Sequence, residues 1–326
     1  MMIAPPTTGA FSLIRCGSGA DSYGIDMKWV RGIYGADRMR RRSGSNSQIG
    51  VLGDATGEVP VFSLAEKIRR PENATATTRH IVVFPGGRGH WGLLVDRVSR
   101  AIRATNPVVP LAPALTGPTP LFAGVLLLDD DLLLMLAPDQ MSPRDGAGAA
   151  DAAGVERSPE WLPPPANGDA VPDVPTTPGN GRLVLFFATD AAVSERPLAF
   201  GVSLAQVLEV LEVPPLLSVP LAPPHVLGLA KWRSQPVPVL DLGMTLGLPP
   251  SVRDERSRLI VMRVPQSKAK IGFLVRPTVK LLPLPTPHWP CQRNLAIPQA
   301  LLIGAVDLPD VTVVVPNLVN IWHAVE

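Results

Sequence analysis

Cysteine is nearly absent: Cys16 and Cys291 are the only two in 326 residues. One thiol in each half is no disulfide framework, and such usage fits a reducing compartment, so a cytoplasmic location is expected. Aromatic residues make up only 5% of the chain and the formal net charge is +2. Nucleic-acid binding needs a basic face or stacking aromatics interleaved with basic residues, so it is not expected. Charged residues total 18%, below the roughly 25% of ordinary soluble domains. The first eight residues, Met1-Met2-Ile3-Ala4-Pro5-Pro6-Thr7-Thr8, have neither a charged start nor an apolar run. They are not read as a secretory signal, and residues 1–9 are expected to be a disordered tail.

A long uninterrupted apolar run is also missing. The nearest approach is Leu121 to Leu136, which Asp129, Asp130 and Asp131 interrupt. Each Asp at the centre of a membrane helix costs about 2.5–3.5 kcal/mol while each Leu returns only ~0.5. Two short apolar runs around an acidic turn read as a β-hairpin instead, and no membrane insertion is expected.

Catalytic patterns are missing as well. The five histidines (His80, His90, His225, His288 and His323) never stand three or four apart, so no metal site is expected. There is no nucleophile elbow and no P-loop. Gly87-Arg88-Gly89-His90-Trp91-Gly92 imitates a dinucleotide-binding pattern. It lies between two strand-like runs, with no long helix after it, so it reads as a turn. Neither half offers the paired Asp-Thr/Ser-Gly turns of a two-lobed aspartic protease. The expectation is a protein that is not an enzyme and holds no cofactor.

Proline is abundant, at 38 of 326 positions, more than twice the usual share of about 5%. That argues against long helices and for short strands and turns. Eight of these prolines fall in residues 142–181, among Ala, Gly and Asp. This stretch is expected to be a semi-extended linker between a domain at 10–141 and another at 182–326. One basic cluster stands out: Arg38, Arg40, Arg41 and Arg42. It reads as a solvated loop, with an acidic partner or phospholipid as the alternative.

The two halves repeat each other. Gly50-Val51-Leu52 through Val59-Pro60-Val61 returns as Gly228-Leu229-Ala230 through Val237-Pro238-Val239, at an offset of 178. Tyr23-Gly24-Ile25 returns as Phe200-Gly201-Val202 at 177, and Gly92-Leu93-Leu94-Val95 as Gly272-Phe273-Leu274-Val275 at 180. Gly124-Val125 returns as Gly304-Ala305, also at 180. Offsets so nearly constant mean one domain built twice. Each copy reads as a series of short strands with frequent turns, which makes the fold class all-β, as small barrels or a sandwich with few short helices. The repeated glycines suit bends at barrel corners.

With the copies aligned, the chain resembles the CheW-like domain of bacterial chemotaxis coupling proteins. The resemblance rests on Tyr23-Gly24-Ile25-Asp26, Val59-Pro60-Val61, Gly92-Leu93-Leu94-Val95-Asp96-Arg97-Val98 and Gly124-Val125-Leu126-Leu127 in copy one. In copy two it rests on Gly228, Arg233, Pro238-Val239-Leu240-Asp241-Leu242 and Gly272-Phe273-Leu274-Val275. It implies two intertwined five-stranded SH3-like β-barrels per domain, and a scaffold without catalysis. The implied partners are the regulatory domain of a histidine kinase, the cytoplasmic tip of a chemoreceptor, and other CheW-like domains. Candidate partner-binding residues on that basis are Arg233, Val237 and Asp241 in copy two and Leu94, Asp96 and Val98 in copy one.

The copies differ where the family pattern carries charge. Copy two has Arg233 in its turn, where copy one runs Asp54-Ala55-Thr56-Gly57; copy one has Ser63 where copy two has Asp241, and Asp96-Arg97 where copy two has Arg276-Pro277. An arginine in an exposed turn can pair with a partner carboxylate, and an aspartate there repels the same partner. The two copies are therefore expected to divide the binding work. The alternative is a CheW-like module that regulates a receptor–kinase pathway outside chemotaxis, or that competes for the coupling sites.

Overall fold

The computed structural model describes the chain except residues 1–8, 43–46, 55–56, 73–75, 77, 88, 113–114, 116–120, 130, 144–181, 188–197, 252, 284–296 and 326. The expected tail and linker, and Cys291, fall outside the described residues. The chain divides into two compact units, residues 1–158 and 159–326.

In the first unit β1 (Phe11–Ser18) and β2 (Asp21–Asp26) form a hairpin. The chain then leaves them and builds a complete second sheet. This contains β3 (Gly32–Gly35), β4 (Met39–Arg41), β5 (Gln48–Asp54), β6 (Gly57–Ser63), β7 (His80–Gly86) and β8 (Gly89–Val95). It returns through β9 (Arg97–Val98), β10 (Ile102–Ala104) and β11 (Val108–Val109) to the hairpin of β12 (Phe122–Leu127) and β13 (Leu132–Leu136). The acidic turn does join this last hairpin, with Leu128 N–H donating to Asp131 C=O at 2.8 Å.

The strand order shows how five-stranded barrels arise. The second sheet runs β3-β7-β8-β6-β5-β4, and the first runs β10-β1-β2-β13-β12-β11 with β9 also on β1. In each the two edge strands are neighbours in sequence. Only the 3₁₀ turn Ala36–Arg38 separates β3 from β4, and only residues 105–107 separate β10 from β11. A single interrupted run thus supplies both edges, which leaves five strands around each sheet and few exposed edges. Because the first barrel is opened by β1–β2 and finished by β9–β13, the two are intertwined.

The second unit repeats the plan. One of its barrels takes β14 (Arg182–Phe187), β15 (Leu198–Ser203), β21 (Leu302–Asp307) and β22 (Thr312–Pro316). The other takes β16 (Val207–Glu212), β17 (Val226–Trp232), β18 (Gln235–Asp241) and β19 (Arg258–Arg263). A continuous strand, β20 (Lys270–Pro283), serves both: its first half pairs with β19 and its second half with β14. In copy one this strand is broken at Asp96, between β8 and β9.

Alternation along the strands sets the cores. Leu52, Val59, Val61, Ile81, Val83 and Leu94 fill the second barrel of copy one, and Ala230, Trp232, Val237, Val239, Leu259 and Val261 fill its counterpart. Burying one such aliphatic side chain contributes about 1.5–3 kcal/mol. Gly92 and Gly272 are requirements of that packing rather than barrel corners. A Cβ on Gly92 would stand 2.7 Å from Ile81 Cγ2, and one on Gly272 would stand 2.9 Å from Leu259 Cδ1. Gly124 does mark a bend: it has φ +154° at the bulge in the β12–β13 pairing. The described helices are short: Leu64–Lys67, Pro138–Met141, Leu242–Thr245 and the eight-residue Leu318–Val325.

Candidate partner-binding site

Three of the six residues singled out in the sequence are interior. Leu94 is 7% exposed and Val237 1%, both inside barrel cores. Asp241 is also 1% exposed. Its carboxylate accepts from the backbone N–H of Met244 (3.0 Å) and Ser251 (2.7 Å) and from the Ser251 hydroxyl (3.1 Å). It is the N-cap of the helix Leu242–Thr245. Ser63 caps the equivalent helix Leu64–Lys67, accepting from Glu66 N–H. Ser and Asp are both strong N-caps, so the Ser63/Asp241 difference is an exchange of caps and not of surface charge. These three residues lie beneath the surface.

Asp96 and Val98 sit where copy one's two barrels meet. Asp96 accepts from Gly19 N–H at 2.7 Å and faces Arg79 Nε at 3.5 Å, while Arg79 also reaches Glu72 at 3.2 Å. Its side chain is 13% exposed. Val98, half-buried on β9, pairs with Cys16 of β1. In copy two Arg276 stands at the position of Asp96 and pairs with Asp254 at 2.6 Å. The polarity of this ion pair is reversed between the copies, and in both it is satisfied within the domain. Asp254 is held below the ordinary carboxylate range: burial opposes this, but the Ser257 hydroxyl, the Arg276 charge and backbone N–H groups outweigh it.

Arg233 is different: its side chain is 70% exposed. Trp232 and Gln235 are opposed across β17 and β18, which leaves a two-residue turn of Arg233 and Ser234. Arg233 has φ +53°, a left-handed conformation that the first residue of a primed hairpin turn requires and that Gly normally fills. The guanidinium lies over the Trp232 ring, 4.5 Å from its centroid, and reaches Glu209 at 3.4 Å. Trp232 Nε1 donates to the same Glu209 carboxylate at 2.9 Å. Lys270 Nζ lies 5.8 Å from the same ring and donates to Gln235 Oε1 at 2.6 Å. One buried indole therefore carries two cations at the surface, and one carboxylate partly offsets them.

Sequence reading missed Trp232, Glu209, Gln235 and Lys270, because they meet only through the pairing of four strands, β16, β17, β18 and β20. Copy one lacks the set: Asp54 stands at the position of Trp232, Gly32 at that of Glu209 and His90 at that of Lys270.

A second surface feature occurs in both copies. Among the described residues the exposed large hydrophobics are Ile33 (40%), Val210 (49%) and Leu204 (44%). Ile33 and Val210 occupy the same position, 177 apart, on β3 and β16. Ile33 is opposite Val82, which is opposite Leu93; Val210 is opposite Ile260, which is opposite Phe273. Those four partners are fully buried, on the strand face opposite the one that carries Ile81, Val83, Leu259 and Val261 into the barrel cores. Ile33 and Val210 thus form the exposed rim of this apolar row in each copy. The matching offset was the sequence signal that could have revealed them.

Among the described residues no cluster of three or more His, Cys, Asp or Glu could hold a metal ion. No helix there is long and apolar enough to cross a membrane.

The family model for the CheW-like domain matches the chain twice, over residues 12–145 and 184–321. Among solved structures the chain is similar to the scaffolding protein TtCheW of Thermoanaerobacter tengcongensis. That match has 20% sequence identity and a TM-score of 0.35, and it covers 43% of this chain and 86% of that one. No curated protein sequence matches. Two matches that together span most of the chain, in the same order as the two structural units, place it in a family: the protein belongs to the CheW-like domain family and carries that domain in tandem.

Proposed function

We propose that the protein is a cytoplasmic, non-catalytic adaptor that couples the cytoplasmic tips of chemoreceptors to the regulatory domain of a histidine kinase. Membership of a scaffold family supports the adaptor reading. The observation that carries a division of work between the copies is the Arg233–Trp232–Lys270 surface. Copy two has it and copy one does not. Tryptophan and arginine in a supported cluster have the composition of an interaction hot spot. Both copies keep the apolar rim at Ile33 and Val210, which suits the apolar face of a partner helix.

In this reading the rim of either copy receives a receptor tip, and only copy two offers the charged surface to a kinase domain. The division is tested in the full chain with Arg233→Glu, Ile33→Asp and Val210→Asp, titrated against a cognate kinase regulatory domain and a receptor-tip fragment. Arg233→Glu should weaken the kinase domain by about tenfold or more while sparing the receptor fragment. The two rim variants together should do the opposite. If Arg233→Glu leaves kinase-domain affinity unchanged, Arg233 is not in the site. If no cognate kinase or receptor fragment binds the unaltered chain, the coupling role itself is wrong.

A further inference from the structure

The proposed coupling function leaves the basic run of copy one unused. Arg38, at the end of the 3₁₀ turn, Arg40 and Arg41 on β4 and Arg42 just after it are all exposed, and Arg31 is exposed just before β3. Among the described residues their compensation is slight. Arg42 approaches Glu58 at 3.9 Å, with both side chains more than half exposed, and Arg38 lies 5.1 Å from the Tyr34 ring centroid. Exposed pairs of this kind contribute little. Arg31, Arg40 and Arg41 make no ion pair with a described carboxylate.

The duplicated fold supplies a control. At the repeat offset of 178 the residues matching Arg38 to Arg42 are Leu216, Leu217, Ser218, Val219 and Pro220, and none is charged. Yet copy two makes the same barrel. Leu216 packs on its core, and a single bridge between Leu217 and Leu229 stands where β4 pairs with β5 in copy one. The barrel does not need arginine here. Neighbouring guanidinium groups repel one another and, left without a partner, carry a cost in folding. A binding role accounts for them.

The arrangement indicates the partner. Successive side chains on a strand point to opposite faces, so Arg40 and Arg41 diverge and the row does not converge on one carboxylate. A spread of cations matches a spread of negative charge, and the guanidinium fork suits phosphate. We infer that the Arg38–Arg42 segment of copy one is a docking site for an anionic phospholipid surface, which holds the adaptor against a membrane without insertion.

Each arginine near such a surface strengthens binding by roughly fivefold, and salt weakens the effect. The test uses the full chain and sedimentation with vesicles of phosphatidylcholine alone, or with one part in three phosphatidylglycerol. The chain should pellet only with the anionic vesicles and be released by high salt. A variant with Arg38, Arg40, Arg41 and Arg42 all changed to Gln should lose several hundredfold in partition and keep its melting temperature, since every altered side chain is exposed. An equally neutralised control, with Arg253, Arg256, Arg263 and Lys268 changed to Gln, should lose no more than about threefold; all four are exposed in copy two. Equal losses in the two variants would mean that net charge alone acts, and would overturn the site. Failure of the unaltered chain to pellet at low salt overturns it as well. So does binding to polyglutamate without binding to vesicles, which would identify an acidic protein as the partner class.

Discussion

Replacing Arg233 by glycine separates what that residue does for the fold from what it does at the surface. Its φ of +53° costs a non-glycine residue about 1 kcal/mol, and glycine removes that cost. Against this, glycine brings a larger unfolded-state entropy, about 0.5–1 kcal/mol. The change also removes a guanidinium 4.5 Å from the Trp232 ring centroid and 3.4 Å from Glu209. An exposed cation–π contact contributes about 0.5–1 kcal/mol. The ion pair, with 70% and 44% of the two side chains exposed, contributes less than about 1 kcal/mol. The losses exceed the gain by about 1 kcal/mol. Arg233→Gly should therefore move the melting temperature of the second unit by no more than about 3 °C.

Binding should respond quite differently. Loss of a hot-spot arginine costs about 2 kcal/mol, close to thirtyfold in affinity. The assay is calorimetric titration of the full chain with a kinase regulatory domain, beside thermal unfolding of the same preparation. Glu209→Gln sharpens it. The amide oxygen still accepts from Trp232 Nε1, while the charge opposing Arg233 disappears, so affinity for an acidic partner surface should hold or rise. An Arg233→Gly variant that binds within twofold of the unaltered chain refutes the reasoning. A variant that loses affinity and also melts lower by well over about 3 °C refutes it too, because Arg233 would then be a structural residue.

Three further outcomes follow from the interior. Asp241→Ala removes an N-cap and strands the Ser251 N–H and hydroxyl, so it should lower denaturant stability by about 2 kcal/mol; Asp241→Ser, which imitates Ser63, should recover part of that. Gly92→Ala forces a Cβ to within 2.7 Å of Ile81 Cγ2 and should cost about 1–3 kcal/mol, and pairing it with Ile81→Val should not rescue it fully, because Val retains that γ-methyl. Burial pushes the Cys16 thiol from 9.0 up to about 12 against a weaker backbone hydrogen bond. The folded chain resists forming the thiolate that the unfolded chain forms readily, so stability should fall as pH rises from 9 towards 12, and the fall should be smaller in Cys16→Ser.

The fold was legible because its signals are local and occur twice. Glycines at near-constant offsets, the Asp129–Asp131 turn and the short apolar runs of β7 and β8 each depend on neighbours in sequence. Over the short run from Lys28 to Ile33 periodicity does not separate a helical turn from a strand, and the chain there forms a 3₁₀ turn followed by β3. The site was much less legible. Glu209 and Trp232 are 23 residues apart, and they meet after a bulge between Val207 and Glu209 resets the register of β16. Asp241 carries a second, local signal: an Asp just before a short helix is a capping residue, and the buried carboxylate takes that place.

The differences between the copies are most informative when sorted by whether each is compensated at home. Ser63 against Asp241 is compensated, because both cap the same helix. Asp96 against Arg276 is compensated too: each finds an opposite charge inside its own domain, Arg79 in one case and Asp254 in the other. Drift in a duplicated domain produces pairs like these, since a change that strands a buried charge costs several kcal/mol unless a partner changes with it. Such exchanges say nothing about partners, however visible they are in the sequence. Two differences are not balanced in this way. The cations on Trp232 exceed the one carboxylate beside them, and the arginines of β4 face weak pairing at most. Uncompensated charge on a fold that the other copy builds without it must be accounted for outside the domain. That criterion selects the Arg233 turn in copy two and the Arg38–Arg42 segment in copy one.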